Sequence, residues 1–243
     1  MSMTIGLIVP PAGDAVPPEA YGLYPEGVRF TARSLALEAL TIEGYSEAIE
    51  RVAALARELR DDEGADAIAL MGTSLSFFRG TGFNDDLISV IEEASGVPAI
   101  TMSSAVRDAL RTVGARKVAV GTAYSAIVNR KLEQFLVDAG FEVLHIGGLD
   151  MTAVETIRAV GADVVADLAL EADRMAGGEA DAILVSCGGL PALDLAAAVE
   201  PRIGKPVVAS ATAGVWAAVR LLGMSGESRA LGRLGQLSGA AVF

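Results

Sequence analysis

Ala182-Ile183-Leu184-Val185-Ser186-Cys187-Gly188-Gly189-Leu190 decides the fold. A short, unbroken apolar run bounded by glycines reads as a strand buried on both faces. The glycines that follow make a tight turn. That turn places the thiol of Cys187, the one cysteine of the chain, at the strand's C-terminal edge, where open α/β sheets bind ligands. An earlier run, Ala67-Ile68-Ala69-Leu70-Met71, ends the same way in Gly72-Thr73-Ser74-Leu75-Ser76. One strand end carries a thiol; the other begins with glycine.

Working outward, strand-like runs alternate with amphipathic segments. Strands are expected at Ile5–Val9, Ala67–Met71, Pro98–Met102, Lys117–Val120, Phe141–Ile146, Ala182–Val185 and Pro206–Ala209. Val28–Leu37 alternates like a strand but reads equally well as a pocket loop. Helices are expected at Glu43–Asp61, Asn84–Ala94, Ser104–Val113, Ser125–Ala139, Ala162–Met175 and Ala211–Leu222. Strand–helix alternation with continuously apolar strands implies parallel sheets covered on both faces. A break near Gly114-Ala115-Arg116-Lys117 divides the chain into comparable halves. The expectation is an α/β fold of two facing, Rossmann-like domains with parallel sheets and an active site in the cleft between them. Residues 1–113 plus about 211–243 would form the first domain and 114–210 the second. The tail after Gly223, rich in Gly and Ser, is expected to pack loosely or fray.

Composition narrows the function. The net charge of −12 argues against nucleic acid and anionic membrane as partners. No apolar stretch is long enough to span a bilayer, and Met1-Ser2-Met3-Thr4 runs directly into a strand with no secretory pattern. One cysteine cannot form an internal disulfide, so a reducing cytoplasm is the natural setting. The abundance of Ala, Gly, Arg and Val suggests a high-GC bacterial genome. Oligomeric state is open, and a monomer is compatible with the sequence.

Several chemistries lack their residues. No Gly-x-x-x-x-Gly-Lys-Ser/Thr is present, and Pro10-Pro11-Ala12-Gly13 stands where a dinucleotide-binding glycine motif would follow the first strand. One His and one Cys, far apart in sequence, disfavour a transition-metal site; no metal and no cofactor are expected. Gly72-Thr73-Ser74-Leu75-Ser76 resembles a nucleophile elbow but ends in Ser, not Gly. A serine hydrolase would need His145, the only histidine, as base. The preferred reading of His145 is a partly exposed residue at a strand end.

Four segments together resemble the arylmalonate decarboxylases of the aspartate/glutamate racemase superfamily. They are Ile5-Gly6-Leu7-Ile8-Val9-Pro10-Pro11, Met71–Gly80, Thr122-Ala123-Tyr124 and Ser186-Cys187-Gly188-Gly189-Leu190. The resemblance keeps its order to about Leu222, and Thr41-Ile42-Glu43-Gly44-Tyr45 also fits it. The superfamily's racemases and isomerases typically place a cysteine on each side of the cleft. This chain keeps the second, Cys187, and has Gly72 where the first would stand, as the decarboxylases do.

The resemblance implies a cofactor-independent lyase that decarboxylates α-aryl or alkenyl malonates, small dicarboxylates, to an optically active arylalkanoate, of the R series for an α-methyl substrate. Thr73, Ser74, Tyr124 and the Gly188 N–H would hold the enediolate. Leu37, Leu40, Tyr45, Val154 and Ile157 would line an apolar pocket for the leaving carboxylate, with Gly72 and Leu75 in its wall. Pro10, Pro11 and Gly189 would border the aryl group, and Cys187 would deliver the proton. Each residue has a plainer reading. A lone buried cysteine is usually an inert small hydrophobe, Ser and Thr after a strand often cap a helix, Tyr124 could be a packed aromatic, Tyr45 and the Leu residues read equally well as plain core, and Arg79 reads as a solvated loop charge. Two other functions remain open: a maleate-type isomerase or racemase, which Gly72 disfavours, and a non-catalytic carboxylate-binding protein.

Overall fold

Each half of the chain builds the same sheet. The computed structural model describes residues 3–238. The first half supplies β1 (Met3–Val9), α1 (Pro18–Leu23), β2 (Val28–Ser34), α2 (Ile42–Ile49), α3 (Val52–Asp61), β3 (Ala67–Leu70), α4 (Thr73–Phe77), α5 (Thr81–Ser95), β4 (Ala99–Thr101) and α6 (Met102–Thr112). The second supplies β5 (Lys117–Thr122), α7 (Ala126–Asp138), β6 (Glu142–Gly148), α8 (Val154–Arg158), α9 (Ala162–Met175), β7 (Ala182–Ser186), α10 (Leu195–Ile203) and β8 (Val207–Ala209). Then follow α11 (Ser210–Leu221) and, after a short 3-10 turn, α12 (Arg233–Leu237).

The strand orders are β2-β1-β3-β4 and β6-β5-β7-β8, the same permutation twice, and every pairing within the two sheets is parallel. Burial explains why the central strands read as unbroken apolar runs: every residue of β3 and β7 is buried. In the first sheet α3 packs on β1 and β2 and α5 on β4, while α11 packs on β3 and β4 beside α6 and α1. In the second, α9 lies along β5, β6 and β7, α7 along β6, and α10 against α9 and β8. Thus α11, which follows the last strand of the second sheet, returns to the first.

Three expectations change in detail. Val28–Leu37 is a strand only to Ser34; beyond it the chain turns into a loop, with Leu37 N–H donating to the Pro10 carbonyl at 2.7 Å. The helix expected over Glu43–Asp61 is two helices. The break at Glu50-Arg51 lets the Arg51 guanidinium donate to the Leu35 carbonyl at 2.8 Å, which periodicity cannot foresee.

The tail does not fray within the described residues. Leu231 and Leu234 are buried, and the Glu200 carboxylate accepts from the Val207 and Arg233 backbone N–H groups, tying α12 to β8. Trp216 Nε1 donates to Ser238 Oγ at 2.7 Å, and that hydroxyl donates to the Leu234 carbonyl at 2.6 Å. Replacing Ser238 by Ala leaves the buried indole N–H without an acceptor, an expected loss of about 1–3 kcal/mol. Urea unfolding should show a lower midpoint at unchanged slope.

Candidate active site

In each sheet the chain order reverses between the first and third strands of its half, β1/β3 and β5/β7. Such switch points leave a crevice beyond the carboxyl ends of the strands. Here the two crevices face one another and form one cavity of about 250 Å³. All four strand ends reach it: Pro10 and Pro11 after β1, Gly72 to Leu75 after β3, Tyr124 after β5, and Cys187 to Gly189 after β7.

Leu37, Leu40, Val154 and Ile157 complete the part of the wall foreseen in the sequence. Tyr45 is not in that wall. Its side chain is fully buried with its ring 5.2 Å from that of Phe78, and its hydroxyl has no hydrogen-bond partner. Other wall residues carry no sequence signal, among them Met102, Pro17, Glu19, Arg158 and Ala211. His145 lies within β6, half-buried and outside the cavity wall, so the hydrolase reading has no base. Arg79 is exposed but not simply solvated: it stacks on Phe78 and Phe83, with its guanidinium carbon 4.9 and 5.1 Å from the ring centroids. Among the described residues no group of three or more His, Cys, Asp or Glu side chains is placed to hold a metal ion.

The polar groups are held from behind. The Thr73 hydroxyl donates to Met102 Sδ at 2.9 Å. One turn on, the Ser76 hydroxyl donates to Ser103 Oγ at 2.7 Å, a buried bond that fastens α4 to α6. Gly72 caps α4 without a side chain, and the first N–H groups of a helix have no partner within it. Tyr124 sits on a turn in which its N–H donates to Thr122 Oγ1 at 3.1 Å, while that hydroxyl donates to Asn129 at 2.7 Å. The Tyr124 hydroxyl is buried without a partner, beside Thr73, Ser186 and Cys187. Burial first, and the neighbouring thiol second, hold that phenol well above its ordinary pKa.

Cys187 is 7 % exposed. Burial pushes its thiol up to about 11, opposed in part by the Gly189 and Leu190 N–H groups and the Tyr124 phenol. At neutral pH the sulfur is therefore a protonated acid.

A strap joins the halves across the cavity. Leu40 N–H donates to the Thr152 carbonyl at 2.8 Å and Val154 N–H to the Glu38 carbonyl at 3.1 Å, around an antiparallel bridge between Ala39 and Ala153. The apolar wall residues Leu37, Leu40, Val154 and Ile157 flank these bonds.

The state of the sulfur can be read by alkylation, since only the thiolate reacts. The iodoacetamide rate at Cys187 should rise about tenfold per pH unit from neutrality to near pH 11. A plateau near pH 8 to 9, as for an ordinary thiol, would contradict the protonated resting state.

Comparison with known proteins agrees with this geometry. The family model described as arylmalonate decarboxylase matches residues 5–235. The arylmalonate decarboxylase of Bordetella bronchiseptica is 45 % identical over 226 residues, covering 93 % of each chain. The structure of a liganded arylmalonate decarboxylase variant, with one glycine changed to cysteine and one cysteine to serine, superposes with a TM-score of 0.92 at 44 % identity, covering 96 % of this chain and 98 % of that one. A maleate cis-trans isomerase variant from Nocardia farcinica shares the fold, with a TM-score of 0.88 at 23 % identity over 98 % of this chain and 99 % of that one. The chain belongs to the arylmalonate decarboxylase family.

Proposed function

We propose that the protein decarboxylates α-aryl or α-alkenyl malonates to optically active arylalkanoates, with Cys187 as the proton donor. One observation carries this reading. A single, protonated thiol stands in a largely apolar cavity, among hydroxyls and backbone N–H groups from opposing strand ends.

Breaking the bond from the α-carbon to one carboxylate leaves the electron pair on that carbon, delocalised into the remaining carboxylate as an enediolate. The Ser74 and Tyr124 hydroxyls and the Gly188 N–H, with the Thr73 hydroxyl once it turns from Met102 Sδ, are assigned to its two oxygens. Preorganised donors of this kind contribute roughly 3–4 kcal/mol each in comparable oxyanion sites. The unpartnered Tyr124 hydroxyl supports the assignment, because a buried phenol without an acceptor costs free energy that a bound oxyanion would relieve. Leu37, Leu40, Val154 and Ile157 are assigned to the departing carboxylate. An apolar wall penalises the carboxylate more than neutral CO₂ and so favours departure. Tyr45 is not assigned to that wall, since its ring packs on Phe78 outside it. Pro10, Pro11 and Gly189 border the aryl ring.

The Cys187 proton then goes to one face of the α-carbon. The resulting thiolate takes a proton back from solvent, so each turnover consumes one proton. A racemase or isomerase of the two-thiol kind would need a second acid on the other face, and Cys187 is the chain's only cysteine.

Purified protein dialysed against EDTA should release CO₂ from phenylmalonate; no release would overturn the proposal. Replacing Cys187 by Ser should keep the fold and lower kcat about a hundredfold, the usual worth of a general acid, with KM little changed. Loss confined to KM would remove Cys187 from the protonation step.

Position 72 tests the sidedness. A Cβ there would lie 3.1 Å from Leu75 Cβ and 3.3 Å from Pro10 Cγ, tight but not closed, and φ of −127° suits any residue. The variant combining Gly72→Cys with Cys187→Ser should therefore give the opposite enantiomer from an α-methyl-α-arylmalonate, read by chiral chromatography. An active double variant with unchanged configuration would refute the opposed placement of the two positions.

A further inference from the structure

A malonate is a dianion, and it has to enter a protein whose own net charge is −12. Repulsion of that sign weakens the capture of an anion unless the cleft presents a cation of its own. Among the described residues the cavity wall has two charged side chains, Glu19 and Arg158. Glu19 is buried. Arg158 is exposed. A wall residue that is also exposed stands where the cavity meets solvent.

Arg158 ends α8, the helix that opens with the wall residue Val154. Its stem lies beside the strand end that carries the thiol. Arg158 Cγ is 3.7 Å from the point that a Cβ of Gly189 would occupy, and Cys187 Sγ is 3.9 Å from the same point. The guanidinium carbon follows three bonds beyond Cγ. Among the described residues no carboxylate pairs with it, Glu155 one turn earlier on the same helix included. The reaction steps above give this cation no part.

We propose that Arg158 recruits the substrate as a dianion, acting through water as a point charge at the cavity mouth. The charge balance of the reaction fixes what such a residue can do. Breaking the carbon–carbon bond turns two carboxylates into neutral CO₂ and an enediolate. The ligand is therefore doubly negative in the bound substrate and at the transition state alike. Arg158 attracts both equally, which lowers KM and leaves kcat unchanged. Once the thiolate has regained its proton from solvent, the arylalkanoate left in the cleft is singly charged, and the attraction halves. The charge that gathers substrate thus holds product less.

The inference rests on the cleft being an arylmalonate site, and a dianion that cannot lose CO₂ separates the two. Calorimetry compares phenylphosphonate, a dianion at about pH 9, with the monoanion phenylacetate. The Cys187 thiol, with its pKa pushed up to about 11, stays protonated there. At an ionic strength of about 0.01 M, where charges act over ~30 Å, Arg158→Gln should bind phenylphosphonate about fivefold more weakly than wild type and phenylacetate about twofold more weakly. At about 1 M both differences should vanish. Arg158→Lys keeps the charge and should bind as wild type does. With phenylmalonate at low salt, Arg158→Gln should raise KM about fivefold at unchanged kcat. Equal phenylphosphonate binding by wild type and Arg158→Gln, a deficit that survives high salt, a deficit shared by Arg158→Lys, no binding of phenylphosphonate by wild type, or a fall in kcat would each overturn the proposal. Phenylphosphonate results as expected, with phenylmalonate left intact, would instead remove the decarboxylase reading and keep the recruiting charge.

Discussion

Everything in the cleft depends on how closely the ends of β3 and β7 approach. At Gly188 a side chain would begin 3.0 Å from Met102 Sδ and 3.2 Å from the Met71 carbonyl oxygen; at Gly214, on α11, it would begin 2.9 Å from Met71 Cε. A Cβ at either position would press on the flexible ends of methionine side chains, and at Gly188 also on the Met71 carbonyl, so glycine there serves close contact rather than an unusual backbone angle. This contact brings the thiol of one sheet and the hydroxyl-bearing turn of the other into one cavity. Each sheet alone would hold a half-site: the Thr73 and Ser74 hydroxyls without an acid, or Cys187 with only Tyr124 and the Gly188 N–H beside it.

The same permuted strand order in both halves explains why the site is symmetric in construction and asymmetric in chemistry. Gly72 and Cys187 each follow the third strand of their sheets. Exchanging a proton on both faces of a carbon takes an acid or base at both places, whereas delivering one proton to one face takes one. A thiol held protonated by burial suits delivery; a thiol that must also abstract protons needs the opposite environment.

What the sequence discloses, and what it conceals, follows from the range of the interactions. Strand ends and their turns are local, so Cys187, Gly188 and Thr73 announce themselves through apolar runs broken by small residues. The parallel sheets are legible for the same reason. Contacts between distant segments are not. The tail is rich in Gly and Ser, and nothing nearby reveals that Ser238 meets Trp216. The break at Glu50-Arg51 depends on the carbonyl of Leu35. Tyr45 matches the motif for a wall residue, yet its ring packs against Phe78 outside the wall. Glu19 and Pro191 share the cavity wall from opposite halves of the chain, a juxtaposition that no local pattern reveals.

The strap across the cleft has an evolutionary meaning. Its two bonds run between main-chain atoms of Glu38, Leu40, Thr152 and Val154, so they are indifferent to which side chains those segments carry. Leu37, Leu40, Val154 and Ile157 can drift among apolar sizes, reshaping the room offered to a substrate, while the two halves stay joined. Selection can thus explore new substituents on the α-carbon one side chain at a time, without first having to preserve the enclosure.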